Sequence, residues 1–209
     1  PCDFSTISML HEYHERGMIN LMGVMGVTPD PFLASTFDIY NQIYGHDIPV
    51  GAYREDALRP RISEAIRAEY YNALSWACRE PDPNRIMFEK FGNSETRREA
   101  DVLDSVEMYR SLLASAPDDS VTIYAAGQLY NFESLLLTGP DGFSPLSGQA
   151  LLQQKVCRFV FMGGYFPDSS VNPWYREHTD DAEWNWWGFG SRNTTRVSLD
   201  AIVAMGKPV

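Results

Sequence analysis

Cysteine is scarce in this sequence. Three cysteines, Cys2, Cys78 and Cys157, stand far apart in 209 residues, and no two form a Cys-x-x-Cys pair. An odd, dispersed set rules against a disulfide framework or a zinc knuckle. Long apolar runs are missing too. None approaches the roughly 20 residues needed to cross a bilayer, which excludes a transmembrane helix. Positive charge is in deficit, with 17 Lys and Arg against 28 Asp and Glu and a formal net charge of −11. Non-specific nucleic-acid binding and anionic-membrane binding both need a basic patch, so neither partner is expected. The chain opens Pro-Cys-Asp-Phe-Ser, without the basic and apolar segments of a secretory leader, and with the sparse cysteines this makes a cytoplasmic location the expectation.

What is present suits a packed domain. Hydrophobic residues make up 44% and aromatics 13%, too apolar for disorder. The length predicts one domain over 1–209, long enough to bury a substantial core. Along the chain, short apolar runs alternate with segments of helical periodicity. Ile7, Leu10, His11 and His14 share a helical spacing that stops at Arg16-Gly17. Ile19 to Val27 reads as a buried strand, and Asp30-Pro31 opens a helix that carries Phe32, Phe37, Tyr40 and Ile43 up to Gly45. Ile48-Pro49-Val50 is strand-like, and helical pieces are predicted around 62–78. Ala100 to Ala114 reads as one helix, Val121 to Ala126 as a buried strand, and Asn131 to Leu137 as a short helix. Val156 to Met162 is a further apolar run, and Thr194 to Met205 a closing helix. Non-alternating apolar strands separated by helices predict an α/β fold: an open, mainly parallel, Rossmann-like sheet with helices on both faces. Ligands of such folds sit beyond the carboxyl ends of the strands. That directs attention to Thr28 to Asp30, Gly127 to Asn131 and the residues from Gly163 onward.

Those strand ends carry a family pattern. The segment Asp119-Ser-Val-Thr-Ile-Tyr-Ala-Ala-Gly-Gln-Leu-Tyr-Asn-Phe resembles the nucleoside hydrolases, in which a strand ends in Gly-Pro-Leu-Thr-Asn. Phe161-Met-Gly-Gly-Tyr-Phe, followed by Ala182-Glu-Trp-Asn, resembles the Met-Gly-Gly and Ala-Glu-Phe-Asn motifs of the same inosine- and uridine-preferring family. Met18 to Val27, Ile43-Tyr44-Gly45 and Ile48-Pro49-Val50-Gly51 follow in the family's order, and Gly206 to Val209 resembles the start of its next strand. The resemblance implies hydrolysis of the N-glycosidic bond of a ribonucleoside by a water held on Ca²⁺. It implies that Glu183, Asn185 and Asn172 contact the ribose hydroxyls and that Asp3 is metal ligand and base. Trp184, in a cluster with Trp186, Trp187 and Phe189, is a candidate to stack on a base or sugar. The backbone carbonyl of Tyr130 stands where the family places a carbonyl on the metal. Calcium prefers hard oxygens, which suits such a set.

The sequence departs from the pattern at the metal. Cys2 stands beside Asp3 where the family has paired carboxylates, and a thiol is a poor calcium ligand. The family's first strand, and the C-terminal third with its further Asp, have no counterpart here, so a domain incomplete at both ends is expected. Three readings stay open: a hydrolase, a non-catalytic module that binds a nucleoside or sugar, and a subunit completed by a partner chain. Edges left by missing strands need covering, which makes a homo-oligomer an expectation.

Overall fold

A computed structural model describes residues 2–28, 30–54, 83–164, 185–186 and 192–209. Its described elements alternate helix and strand: α1 (Cys2–Glu15), β1 (Val24–Met25), α2 (Leu33–Tyr44), β2 (Val50–Ala52), α3 (Pro83–Phe91), β3 (Leu103–Asp104), α4 (Ser105–Ser115), β4 (Val121–Ala125), α5 (Tyr130–Leu137), α6 (Gly148–Lys155), β5 (Val156–Phe161) and α7 (Arg192–Ala204). A 3-10 turn over Glu99–Asp101 precedes β3. Every strand pair is parallel, in two short ladders ordered β1-β2-β3 and β4-β5. This is an α/β chain with parallel strands. Its described residues fall into two compact units, the first up to Leu112 and the second from Leu113, inside α4. The helical pieces expected around 62–78 lie outside the described residues.

In the first unit the turn chemistry acts as expected. Asp30 Oδ1 accepts from the Phe32 N–H at 2.8 Å, ahead of α2. Gly45, at φ 67°, closes α2 in the left-handed conformation, and its N–H returns to the carbonyls of Asn41 and Gln42. Asn41 then docks the next segment. Its Nδ2 donates to the Ile48 carbonyl at 2.8 Å and its Oδ1 accepts from the Ile48 N–H at 3.1 Å, so one buried amide imitates a strand neighbour. Ala34, Val50 and Ala52 form the core there, with Phe37 and Val102 packed on it. Ile43, on the expected apolar spacing of α2, is instead 59% exposed.

Two sequence expectations need correction. The helix read over 100–114 begins at Ser105, because Leu103 and Asp104 pair with Gly51 and Ala52 as β3. Asp104 then caps the helix: its Oδ1 accepts from the Val106 N–H at 2.9 Å. The run 19–27 contributes only Val24 and Met25 to a ladder, and both are half-buried.

In the second unit β4 and β5 pair from Val121↔Val156 to Ala125↔Phe161. Their apolar sequences predict burial on both faces, yet one face is open: Ile123 and Phe159 are buried, while Thr122, Tyr124 and Val160 are exposed. The covered face is aromatic. Phe132 of α5 lies edge-on to Phe159 and Phe161, both at 6.0 Å. The terminal segment touches β5 at one main-chain bond, from the Phe159 N–H to the Pro208 carbonyl at 2.9 Å, but Gly206 to Val209 forms no strand where the start of one was expected.

Candidate functional site

The carboxyl ends of β4 and β5 are tied by one side chain. Asn185 Nδ2 donates to the Ala126 carbonyl at 3.2 Å and to the Met162 carbonyl at 2.8 Å. The ladder's last rung is beside it, from the Met162 N–H to the Ala125 carbonyl at 2.9 Å. Both Nδ2 protons of Asn185 are therefore engaged by main chain, and the amide fixes the spacing of the strand ends. Trp186 follows. Its indole lies 5.9 Å from the Phe161 ring, extending the aromatic row of Phe132, Phe159 and Phe161 to the strand end. It lies directly on Gly163: a Cβ there would stand 2.2 Å from Trp186 Nε1. The Met-Gly-Gly sequence is thus the floor on which the indole rests.

Tyr130 is fully buried and opens α5, so its carbonyl lies in the first helical turn. One residue that sequence reasoning missed stands nearby. Glu133 is buried in the first turn of α5 and accepts from the Thr194 hydroxyl of α7 at 2.7 Å. Burial raises the pKa of its carboxyl, and the Thr194 bond partly offsets the shift. The only hint of it in the sequence is an acid inside an otherwise apolar short helix.

The first unit holds a different cluster. Beyond the ends of β1 and β2, a cavity of about 430 Å³ is lined by Phe32, Ser35, Arg54, Phe88, Arg98 and Glu99, among others. Arg54 is anchored by its guanidinium to the carbonyls of Glu99, at 2.7 Å, and Val102. The Arg98 guanidinium sits 5.0 Å from the centre of the Phe88 ring. Burial raises the Glu99 carboxyl's pKa, Arg54 lowers it and Asp30 raises it further. On the opposite side of α2, His11 and His46 face each other, Nδ1 to Nδ1, at 3.0 Å. The His11 ring is buried, stacked on Tyr44 at 5.1 Å and His46 at 5.3 Å.

Of the residues singled out in the sequence, Asn185 and Tyr130 are described in the second unit. Asp3 lies in the first turn of α1, in the first unit. Glu183, Trp184 and Asn172 lie outside the described residues. Among the described residues, no group of three or more His, Cys, Asp or Glu side chains is arranged to hold a metal ion. No helix among them is long and apolar enough to cross a membrane.

No protein-family model, curated protein or solved structure matches this chain.

Proposed function

We propose that this chain is a nucleoside hydrolase-like protein with a Rossmann-like sheet, and that it holds a ribosyl compound at the carboxyl edge of β4 and β5. The parent reaction is hydrolysis of a ribonucleoside to base and ribose. One observation carries the reading: Asn185 bonds to the Ala126 and Met162 carbonyls. Asn185 and the Met-Gly-Gly segment, separate in sequence, therefore meet at the end of a parallel strand pair, where α/β folds bind ligands. With its Nδ2 donors spent, Asn185 serves as the fixed edge of the site. Glu183 and Asn172 are the ribose-hydroxyl partners in this proposal, and Trp184 the stacking surface.

Calcium belongs to the parent reaction, where it orients and ionises a water. Of the two ligands that the resemblance implies, the Asp3 carboxylate belongs to the first unit and the Tyr130 carbonyl to the second. Calcium takes about six to eight oxygens. Two donors, one of them a helical carbonyl and the other beside the thiol of Cys2, fall short of that set. Ribosyl binding is therefore the proposal's core, and hydrolysis requires further oxygen ligands. The same Cys2 favours a second reading, a module that binds a nucleoside without turning it over.

Thermal unfolding with inosine or uridine, with Ca²⁺ or EDTA, tests both. Ligand at about 100 times its dissociation constant adds about 2.7 kcal/mol of stability. A raised midpoint with nucleoside is expected. Free base released only with calcium selects the hydrolase, and binding without release selects the module. A folded chain whose midpoint neither nucleoside moves, with or without calcium, overturns the proposal.

A further inference from the structure

The cavity of the first unit lies beyond the ends of β1 and β2 and shares no residue with the β4–β5 edge. Its volume of about 430 Å³ falls within the range of small-molecule sites. Its walls are of two kinds. Phe32 and Phe88 form an apolar side, with ring centres 5.6 Å apart and planes tilted by 40°. Arg54 and Arg98 form a cationic side.

The two guanidiniums differ in what holds them. Arg54 is fixed by two main-chain carbonyls, which consume hydrogen-bond donors of its guanidinium. Its own N–H donates to Asp104 Oδ2 at 3.3 Å, which keeps the residue at the end of β2. The Arg98 guanidinium makes no hydrogen bond or ion pair with any described residue, and its contact is the Phe88 face. Neither guanidinium lies within ion-pair distance of a carboxylate among the described residues. Among the described residues, Glu99 is the one acid on the wall. Asp30 is turned to the Phe32 N–H at 2.8 Å and to Asn84 Nδ2 at 2.5 Å.

We infer that this cavity is a binding site for a small aromatic carboxylate, its ring against Phe32 and Phe88 and its carboxylate on Arg98 and Arg54. A guanidinium fork matches a carboxylate in two parallel hydrogen bonds. Aromatic rings gain from offset or edge contacts at centroid distances of about 4.5–7 Å, which the phenylalanine pair offers. A phosphate dianion has no apolar body for the rings, and Glu99 repels its second charge.

Benzoate is the probe, with benzyl alcohol as its neutral counterpart and inorganic phosphate as the anion without a ring. Binding to the whole chain is read by ligand-observed NMR and calorimetry, with no nucleoside present, so the result is independent of the ribosyl proposal. Benzoate is expected to bind saturably, with benzyl alcohol and phosphate each at least tenfold weaker. Arg98→Met, which keeps the bulk over Phe88, is expected to weaken benzoate at least tenfold. Because the Arg98 side chain is exposed, and the substitution leaves its main-chain bonds to Asp101 in place, this variant should fold, and circular dichroism checks it. The inference is overturned if benzoate fails to bind the folded chain. Equal binding of benzyl alcohol or phosphate overturns it as well, and so does an Arg98→Met variant that binds benzoate as the parent does.

Discussion

Acid should destabilise this protein through His11 before its ordinary carboxylates are protonated. The ring is buried and held neutral, its pKa lowered to about 4 from the usual 6.5, first by burial and then by repulsion from His46 and His14. The folded pKa lies below the unfolded one. Between about pH 6.5 and pH 4, the unfolded chain therefore binds a proton that the folded chain refuses. Stability is complete above this window and falls as the pH drops through it. Each pKa unit is worth about 1.4 kcal/mol, so the full shift amounts to about 3 kcal/mol. That is a large fraction of a typical total of about 5–15 kcal/mol. Two acids oppose the trend: buried Glu133 and half-buried Glu99 have raised pKa values, and their desolvation cost is relieved as they take up protons. The assay is therefore a difference. Urea unfolding at pH 7 and pH 4.5 compares the parent with His11→Phe, which keeps a ring beside Tyr40 and Tyr44 and removes the titration. At pH 7 the variant should lose about 1 kcal/mol with the His46 contact. At pH 4.5 it should be the more stable of the two. Parallel declines in parent and variant would refute the reasoning.

Three further outcomes follow from single contacts. Gly163→Ala puts a methyl into the Trp186 indole and should displace it, seen as a red-shifted tryptophan emission with a loss of about 1–3 kcal/mol. Asp104→Ala removes the acceptor for the Val106 and Arg54 N–H groups and should cost about 1–2 kcal/mol in urea unfolding, whereas Asp104→Asn should recover most of it. Glu133→Gln keeps an acceptor for Thr194 without the buried charge, so at pH 7 it should be neutral or stabilising in thermal unfolding; a marked loss would mean that the charge itself is needed.

The sequence disclosed elements wherever local chemistry decides them. Asp30 and Gly45 bracket α2, Pro117-Asp118-Asp119 turns the chain, with Asp119 at φ 48°, and the apolar runs at 121 and 156 become β4 and β5. It hid what is decided by pairing at a distance. Leu103 and Asp104 form a two-residue strand because Gly51 and Ala52 lie beside them, and no periodicity survives in so short a piece. The open face of β4 was equally hidden. Val121 to Ala126 is apolar enough to be covered on both sides, yet Tyr124 stays exposed while Phe132 of α5 covers the face of Phe159. Motif order pointed to Asn185 at a strand end, but not to which atoms it would hold. The arginine cavity drew on Phe32, Arg54, Phe88 and Arg98, four separate segments with no motif in common. The His11 and His46 pair, 35 residues apart, left no sequence signal beyond the helical spacing of His11 and His14.

The most direct test of the central proposal is a calorimetric titration of inosine into the parent chain and into Asn185→Ala, with folding checked by circular dichroism. The account predicts saturable binding to the parent and at least tenfold weaker binding to the variant, because the strand ends lose their tie. Inosine that binds both equally, or a folded parent that takes up none, would contradict it.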